Sequence, residues 1–264
     1  MKIGFIGLGN MAEAIIGGML GKGAVCAADI QGSCRTEETA LRMAQRYGIT
    51  AGTDNRKTAA EADYLFLAVK PIFFPEVIAQ IREAVSEETV IISIAAGKTM
   101  DWIESAFEKK IRLVRCMPNT PALVGAGCTA FCANDSISQA EKSQVARWLG
   151  SFGTVSEVPE RLMDTVVGVS GSSPAYVFLF IEAMADEAVA EGMPRRQAYE
   201  MAAQAVLGSA RMVLETGKHP GELKDMMCTP GQTTIEAVKV LKKKGMRGAV
   251  MDAMAACIRK SREL

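Results

Sequence analysis

Two short segments hold residues whose types and spacing could do chemistry. The first is Gly7-Leu8-Gly9-Asn10-Met11-Ala12, directly after the apolar run Ile3 to Ile6. Two glycines at this spacing, with Ala12 in the third position, fit the strand-turn-helix fingerprint that cradles a dinucleotide pyrophosphate. Gly7 allows the tight turn, and Gly9 lets amides at a helix start approach the phosphates. A plain tight turn would use the same glycines, so the reading depends on a helix following and on further parallel strands downstream. The second segment is Thr229-Pro230-Gly231-Gln232-Thr233-Thr234, followed by Glu236. Thr233-x-x-Glu236 has the form of a capping box and predicts a new helix there. The first amides of such a helix lack intrahelical partners, and its dipole favours negative charge. Thr233 and Thr234 are therefore a candidate grip on a substrate carboxylate, leaving a Thr hydroxyl free. An ordinary cap is the plainer alternative.

No Lys or His occurs between Lys142 and Lys218. Chemistry at a hydroxyl or carbonyl commonly needs such a residue to move the hydroxyl proton. An imine brings its own basic nitrogen and, once protonated, is already an electrophile. Positioning it by carboxylate capture and a neutral hydroxyl suffices. The pattern favours C=N over C=O chemistry.

The elements that must position these segments are legible in outline. Ile3 to Ile6 reads as a strand and Met11 to Leu20 as a helix. Tyr64 to Val69, Val90 to Ile94 and Leu113 to Met117 are nearly continuous apolar runs, as expected of strands buried on both faces. They end in Lys70-Pro71, Ala95-Ala96-Gly97 and Pro118-Asn119-Thr120-Pro121. In an open parallel sheet the ligand crevice lies beyond such carboxyl ends. The second strand has two placements. Ala24 to Asp29 would put an acid at its tip and favour NAD, whereas Ile30 to Ser33 would put Cys34, Arg35 and Thr36 there and suit the 2′-phosphate of NADP. From Met163 onward the spacing is helical, and ten of the sixteen methionines lie in that part. Ala203, Leu207, Ala210 and Leu214 mark a face expected to be buried. Helices so apolar need covering on most sides, which points to a partner subunit. The expected architecture is α/β: a Rossmann-type dinucleotide-binding domain over 1–160, then an all-helical domain over 161–264.

Composition narrows the partners. Thirty basic residues balance thirty acidic ones, so no concentrated positive face is expected for nucleic acid or an anionic membrane. The apolar runs read as shorter than the roughly 20 residues that span a bilayer. The N-terminus lacks a signal-peptide cleavage pattern. Seven cysteines at irregular spacing form neither a disulfide framework nor a CxxC pair, and Cys128 and Cys132 read as two strand residues. A reduced, cytoplasmic protein without a metal is the expectation.

Taken together, the motifs resemble the pyrroline-5-carboxylate reductase family. Phe5-Ile6-Gly7-x-Gly9-Asn10-Met11, Ala68-Val69-Lys70-Pro71, Ala95-Ala96-Gly97 and Met117-Pro118-Asn119-Thr120-Pro121 are similar to family blocks. So are Gly168 to Tyr176 and the segment from His219-Pro220-Gly221 to Ala237. They keep family order along nearly the whole chain, and Thr229-Pro230-Gly231-x-Thr233-Thr234 is the most specific. The resemblance implies NADPH as cofactor, with NADH possible. It implies cofactor contacts at Ile6, Gly7, Leu8, Gly9, Asn10 and Met11, at Ser33, Cys34 and Arg35, at Asn55, at Ala68, Val69, Lys70 and Pro71, and at Ala95, Ala96 and Gly97. It also implies a substrate turn at Thr233 and Thr234, with the Thr234 hydroxyl near the ring nitrogen as the catalytic group, and Glu160 beside the substrate. The implied reaction is reduction of a cyclic imino acid, 1-pyrroline-5-carboxylate, to L-proline by a homodimer or a ring of dimers. Gln232, where the family often has Gly, and the Gly32-Ser33-Cys34-Arg35 tip depart from the pattern.

Overall fold

A computed structural model describes residues 1–263. Eight strands form one sheet: β1 (Ile3–Ile6), β2 (Ile30–Ser33), β3 (Thr50–Gly52), β4 (Tyr64–Leu67), β5 (Val90–Ser93), β6 (Arg112–Met117), β7 (Gly127–Ala133) and β8 (Gly153–Glu157). Their order is β3-β2-β1-β4-β5-β6-β7-β8. All neighbours are parallel except β6 and β7. That exception follows from the connection between Met117 and Gly127, because a parallel crossover needs about a dozen residues or more.

Between the strands run α1 (Asn10–Gly21), α2 (Glu37–Tyr47), α3 (Asn55–Ala60), α4 (Phe74–Ile81), α5 (Met100–Phe107) and α6 (Gln139–Leu149). Strand residues alternate between two cores, as the two-residue period requires. Ile3, Phe5 and Phe66 join Ile15, Trp148 and Phe152 on one face. Ile6, Leu65 and Leu67 join Phe74, Ile78 and Phe107 on the other. β1 and β5 are buried along their whole length, which explains why they read as unbroken apolar runs.

The chain divides into two compact units, Ser173–Ala256 and the remainder. The first unit runs to Ser172, past the boundary after residue 160 expected from composition. Within it α7 (Met163–Val166) buries Met163 against Met117, Ala130 and Cys132. Asn119 Nδ2 donates to the Ser170 carbonyl at 2.9 Å.

The second unit holds α8 (Ser173–Ala190), α9 (Arg195–Thr216), α10 (Pro220–Met227), α11 (Thr233–Lys243) and most of α12 (Met246–Arg262). α8 and α9 bury mainly small residues, Ala185, Ala198 and Ala202. The face of Ala203, Leu207, Ala210 and Leu214, expected to be buried, is exposed. Leu179 is 67% exposed and Leu214 80%. The reason is supply: one chain does not provide enough helix to cover both. The stretch Glu160–Ala190 is also long and apolar enough, by length and composition, to cross a membrane, contrary to the sequence reading of shorter runs.

Candidate active site

The strand order reverses direction at β1 and β4, so a crevice opens beyond their carboxyl ends. Gly7 there has φ +95°, and a Cβ would lie 2.8 Å from the Ala68 carbonyl. Both facts demand glycine. The Gly7 amide donates to the Ser33 carbonyl and the Ala68 amide to that of Ile6, each at 2.8 Å, locking three strand ends together. Gly9 is the N-cap of α1, with no side chain capping it. A Cβ on Gly9 would meet nothing within 4 Å, so the first amides of α1 stay open to a ligand.

The resulting cleft has a volume of about 790 Å³. Of the residues expected to touch cofactor, Gly7, Leu8, Gly9, Cys34, Arg35 and Asn55 line it, as do Ala68, Val69 and Lys70. The others lie apart from its lining. Ile6 is core, and Ser33 is buried with its Oγ donating to Asn55 Oδ1 at 2.8 Å. Asn10 and Met11 form the first turn of α1, and Pro71 opens the turn before α4. Ala95, Ala96 and Gly97 follow β5, with Ala95 buried and Gly97 at φ +74°. Sequence reading missed Thr39, Arg42, Thr53, Phe73, Glu76, Val77 and Gln80 in the lining. Thr39 and Arg42 were discoverable, being three residues apart on the helix that follows Arg35. Asn55 Nδ2 donates to Gln80 Oε1 at 2.9 Å, and Gln80 Nε2 to Glu76 Oε1 at 3.2 Å.

The second strand is Ile30–Ser33, which resolves the two placements. Asp29 sits in a 3₁₀ turn before it, at the end away from the cleft. The tip therefore presents Cys34 and Arg35 and no acid. Burial pushes the Cys34 thiol above its ordinary value, so it adds no negative charge at neutral pH. Arg35, Arg42 and Lys70 line the cleft against a single carboxylate, Glu76. An open helix start and an excess of cations fit a phosphorylated dinucleotide.

Glu160 borders a hollow of about 400 Å³ with Met100, Cys132 and Glu157. Its Oε1 accepts from Arg115 NH1 at 2.9 Å and from the Met100 amide at 2.7 Å. Arg115 is only 2% exposed, and its Nε has no partner. Glu160 thus neutralises a buried cation and ties β6 to the start of α5. Burial first, then the Glu160 charge, push the Cys132 thiol up to about 11, leaving it unreactive at neutral pH. Among the described residues no three His, Cys, Asp or Glu side chains converge as a metal site.

In the second unit, Gly231 at φ +71° shapes the Thr229–Gln232 turn, closed by the Gln232 amide donating to the Thr229 carbonyl at 3.2 Å. That turn leaves Gln232 extended, at φ −104° and ψ 175°, so Gln232 and not Thr233 is the N-cap of α11. The expected capping box does not form. Thr233 is the first helical residue, and Glu236 lies one position too far along to reach back. Glu236 instead accepts from Lys239 Nζ at 3.3 Å. With no side chain capping α11, the amides of Thr233 and Thr234 are more available to an anion than a capping box would leave them.

Residues 160–264 match the family described as pyrroline-5-carboxylate reductase dimerisation. Residues 2–97 match the one described as NADP oxidoreductase coenzyme F420-dependent. The chain is 48% identical over 263 residues to pyrroline-5-carboxylate reductase of Escherichia coli, covering 100% of this chain and 98% of the relative. It is 41% identical to that of Methanosarcina acetivorans, covering 100% and 97%. Among solved structures, pyrroline carboxylate reductase of Plasmodium falciparum with NADP bound superposes with a TM-score of 0.91 at 29% identity, covering 100% and 97%. A pyrroline-5-carboxylate reductase from Coxiella burnetii gives 0.91 at 34%, covering 99% and 97%.

Proposed function

The chain belongs to the pyrroline-5-carboxylate reductase family, and from that premise we propose that it reduces 1-pyrroline-5-carboxylate to L-proline with NADPH. The observation that carries the proposal is full-length similarity to relatives of that activity in a chain whose nucleotide cleft is intact. NADPH supplies a hydride for the imine carbon. The chain's own residues hold and orient. Amides at the start of α1 take the pyrophosphate, and Arg35 at the β2 tip takes the 2′-phosphate, with no acid there to favour NADH. The uncapped first turn of α11 takes the substrate carboxylate through the Thr233 and Thr234 amides. The Thr234 hydroxyl hydrogen-bonds the ring nitrogen of the imine, which arrives carrying a proton from solvent and needs only hydride at its carbon to become the amine. Glu160 lies beside the substrate and keeps Arg115 neutralised there.

Residues from 161 on serve dimerisation and substrate binding. The partner subunit covers the exposed apolar faces of α8 and α9, which accounts for the apolar stretch Glu160–Ala190 without a membrane. Dimers assemble further into a ring, and the protein is cytoplasmic, in keeping with seven unpaired cysteines. The test is NADPH oxidation on addition of pyrroline-5-carboxylate, with proline identified as product. A purified protein that oxidises no NADPH under these conditions refutes the reading.

A further inference from the structure

The cleft contains a second guanidinium that the β2 tip does not supply. Arg42, on α2, lines it together with Arg35 and Thr39. Its position is set from α1: Arg42 NH1 donates to Glu13 Oε2 at 2.9 Å, and the Glu13 side chain is only 12% exposed. Arg46 NH1 and the Tyr47 hydroxyl donate to the other oxygen of Glu13. One carboxylate therefore faces two guanidiniums, and the group keeps a net positive charge. Arg42 has five N–H donors, of which Glu13 engages one nitrogen, leaving others for an incoming anion. Thr39, whose Oγ1 lies 2.9 Å from Thr36 Oγ1, lines the same cleft.

A tie between α1 and α2 would explain the Glu13 contacts alone. It does not explain why the two arginines differ in where they face. Arg46 borders a separate hollow against α1, whereas Arg42 borders the nucleotide cleft beside Arg35. We propose that Arg42, held in place by Glu13, is a second ligand for the 2′-phosphate of NADPH and a determinant of its preference over NADH. Glu13 lies on the first turn of α1, the helix whose opening amides face the pyrophosphate, so one helix positions both phosphate grips. Glu13 is a positioning residue. The proposal rests on the NADPH reading of the cleft.

The experiment is calorimetric titration of the intact protein with adenosine 2′,5′-bisphosphate and, separately, with 5′-AMP. Arg42→Ala should weaken the bisphosphate by about ten- to a hundredfold, the range for a hydrogen bond to a charged group, while leaving 5′-AMP unchanged. Arg46→Ala, which removes the other cation on Glu13, should change neither. Arg42→Gln keeps a donor for Glu13 but loses the charge, and should behave as Arg42→Ala even if the alanine variant folds poorly. Equal losses for both ligands, or the same loss in Arg46→Ala, would show a structural tie and overturn the proposal. A wild type that binds both ligands equally would instead overturn the NADPH reading, and the proposal with it.

Discussion

Single residues here act through what they leave unpaired. Thr234→Val removes one hydroxyl and keeps the side-chain shape. A hydrogen bond lost beside a reacting nitrogen should lower kcat/KM for the imine by about ten- to a hundredfold, leaving NADPH affinity unchanged. Steady-state kinetics at saturating NADPH measure this, and a variant as fast as wild type removes Thr234 from catalysis. Thr233→Val should change stability by less than about 0.5 kcal/mol, because Thr233 caps nothing. A loss near 1 kcal/mol in thermal unfolding would revive the capping box that the structure does not form. Glu160→Ala is the opposite case. It strands the Arg115 charge in a site 2% exposed, and should destabilise the protein by about 3 kcal/mol in urea titration. If it costs nothing, solvent already reaches Arg115 and the pair is ornamental.

At the scale of elements, the caps decide which helices depend on pH. α6 begins with a complete capping box, Ser138 with Glu141, and Glu141 also holds Arg112 on β6 at 2.6 Å. Burial pushes the Glu141 carboxyl up, but hydrogen bonds from Ser138 and the Arg112 guanidinium outweigh it, and the net shift is downward. A depressed carboxyl contributes stability that is present above its ordinary value and lost as pH falls through the folded one. Unfolding midpoints should therefore drop between mildly and strongly acidic pH, and Glu141→Gln should flatten that limb. An unchanged acid limb in Glu141→Gln would place the titrating group elsewhere. α11 lacks such a box, which leaves its first turn free for a substrate.

At the scale of the molecule, the exposed apolar surface of α8 and α9 demands a cover. Obligate homodimer interfaces bury about 2,000 Å² or more, enough to need several helices from each partner. Sedimentation should show a dimer or larger species at low micromolar protein. Leu214→Glu, at a position 80% exposed in the single chain, should shift that species towards monomer without unfolding the first unit. A stable, active wild-type monomer at that concentration would mean that something else covers these helices.

The strand-turn-helix at Gly7 to Ala12 was legible because backbone constraint leaves a local signature: a glycine forced to positive φ, then a helix opening. The buried strands β4, β5 and β6 were legible for a similar reason, since a sheet covered on both faces needs unbroken apolar runs. Two local features were not decidable from sequence. Asp29 or Arg35 at the tip of the second strand depended on register, which pairing with β1 sets through Ile3 opposite Ile30 and Ile6 opposite Ser33. The cap of α11, read as Thr233, is Gln232 because of how the Gly231 turn closes. The Arg42–Glu13 and Arg115–Glu160 contacts were invisible for a deeper reason. Their partners lie 29 and 45 residues apart along the chain, and no periodicity or spacing records a contact made only when separate elements pack. The sequence determined the class of fold and the kind of chemistry through local rules. Tertiary packing decided which charges face the cleft, because that depends on what each helix rests against.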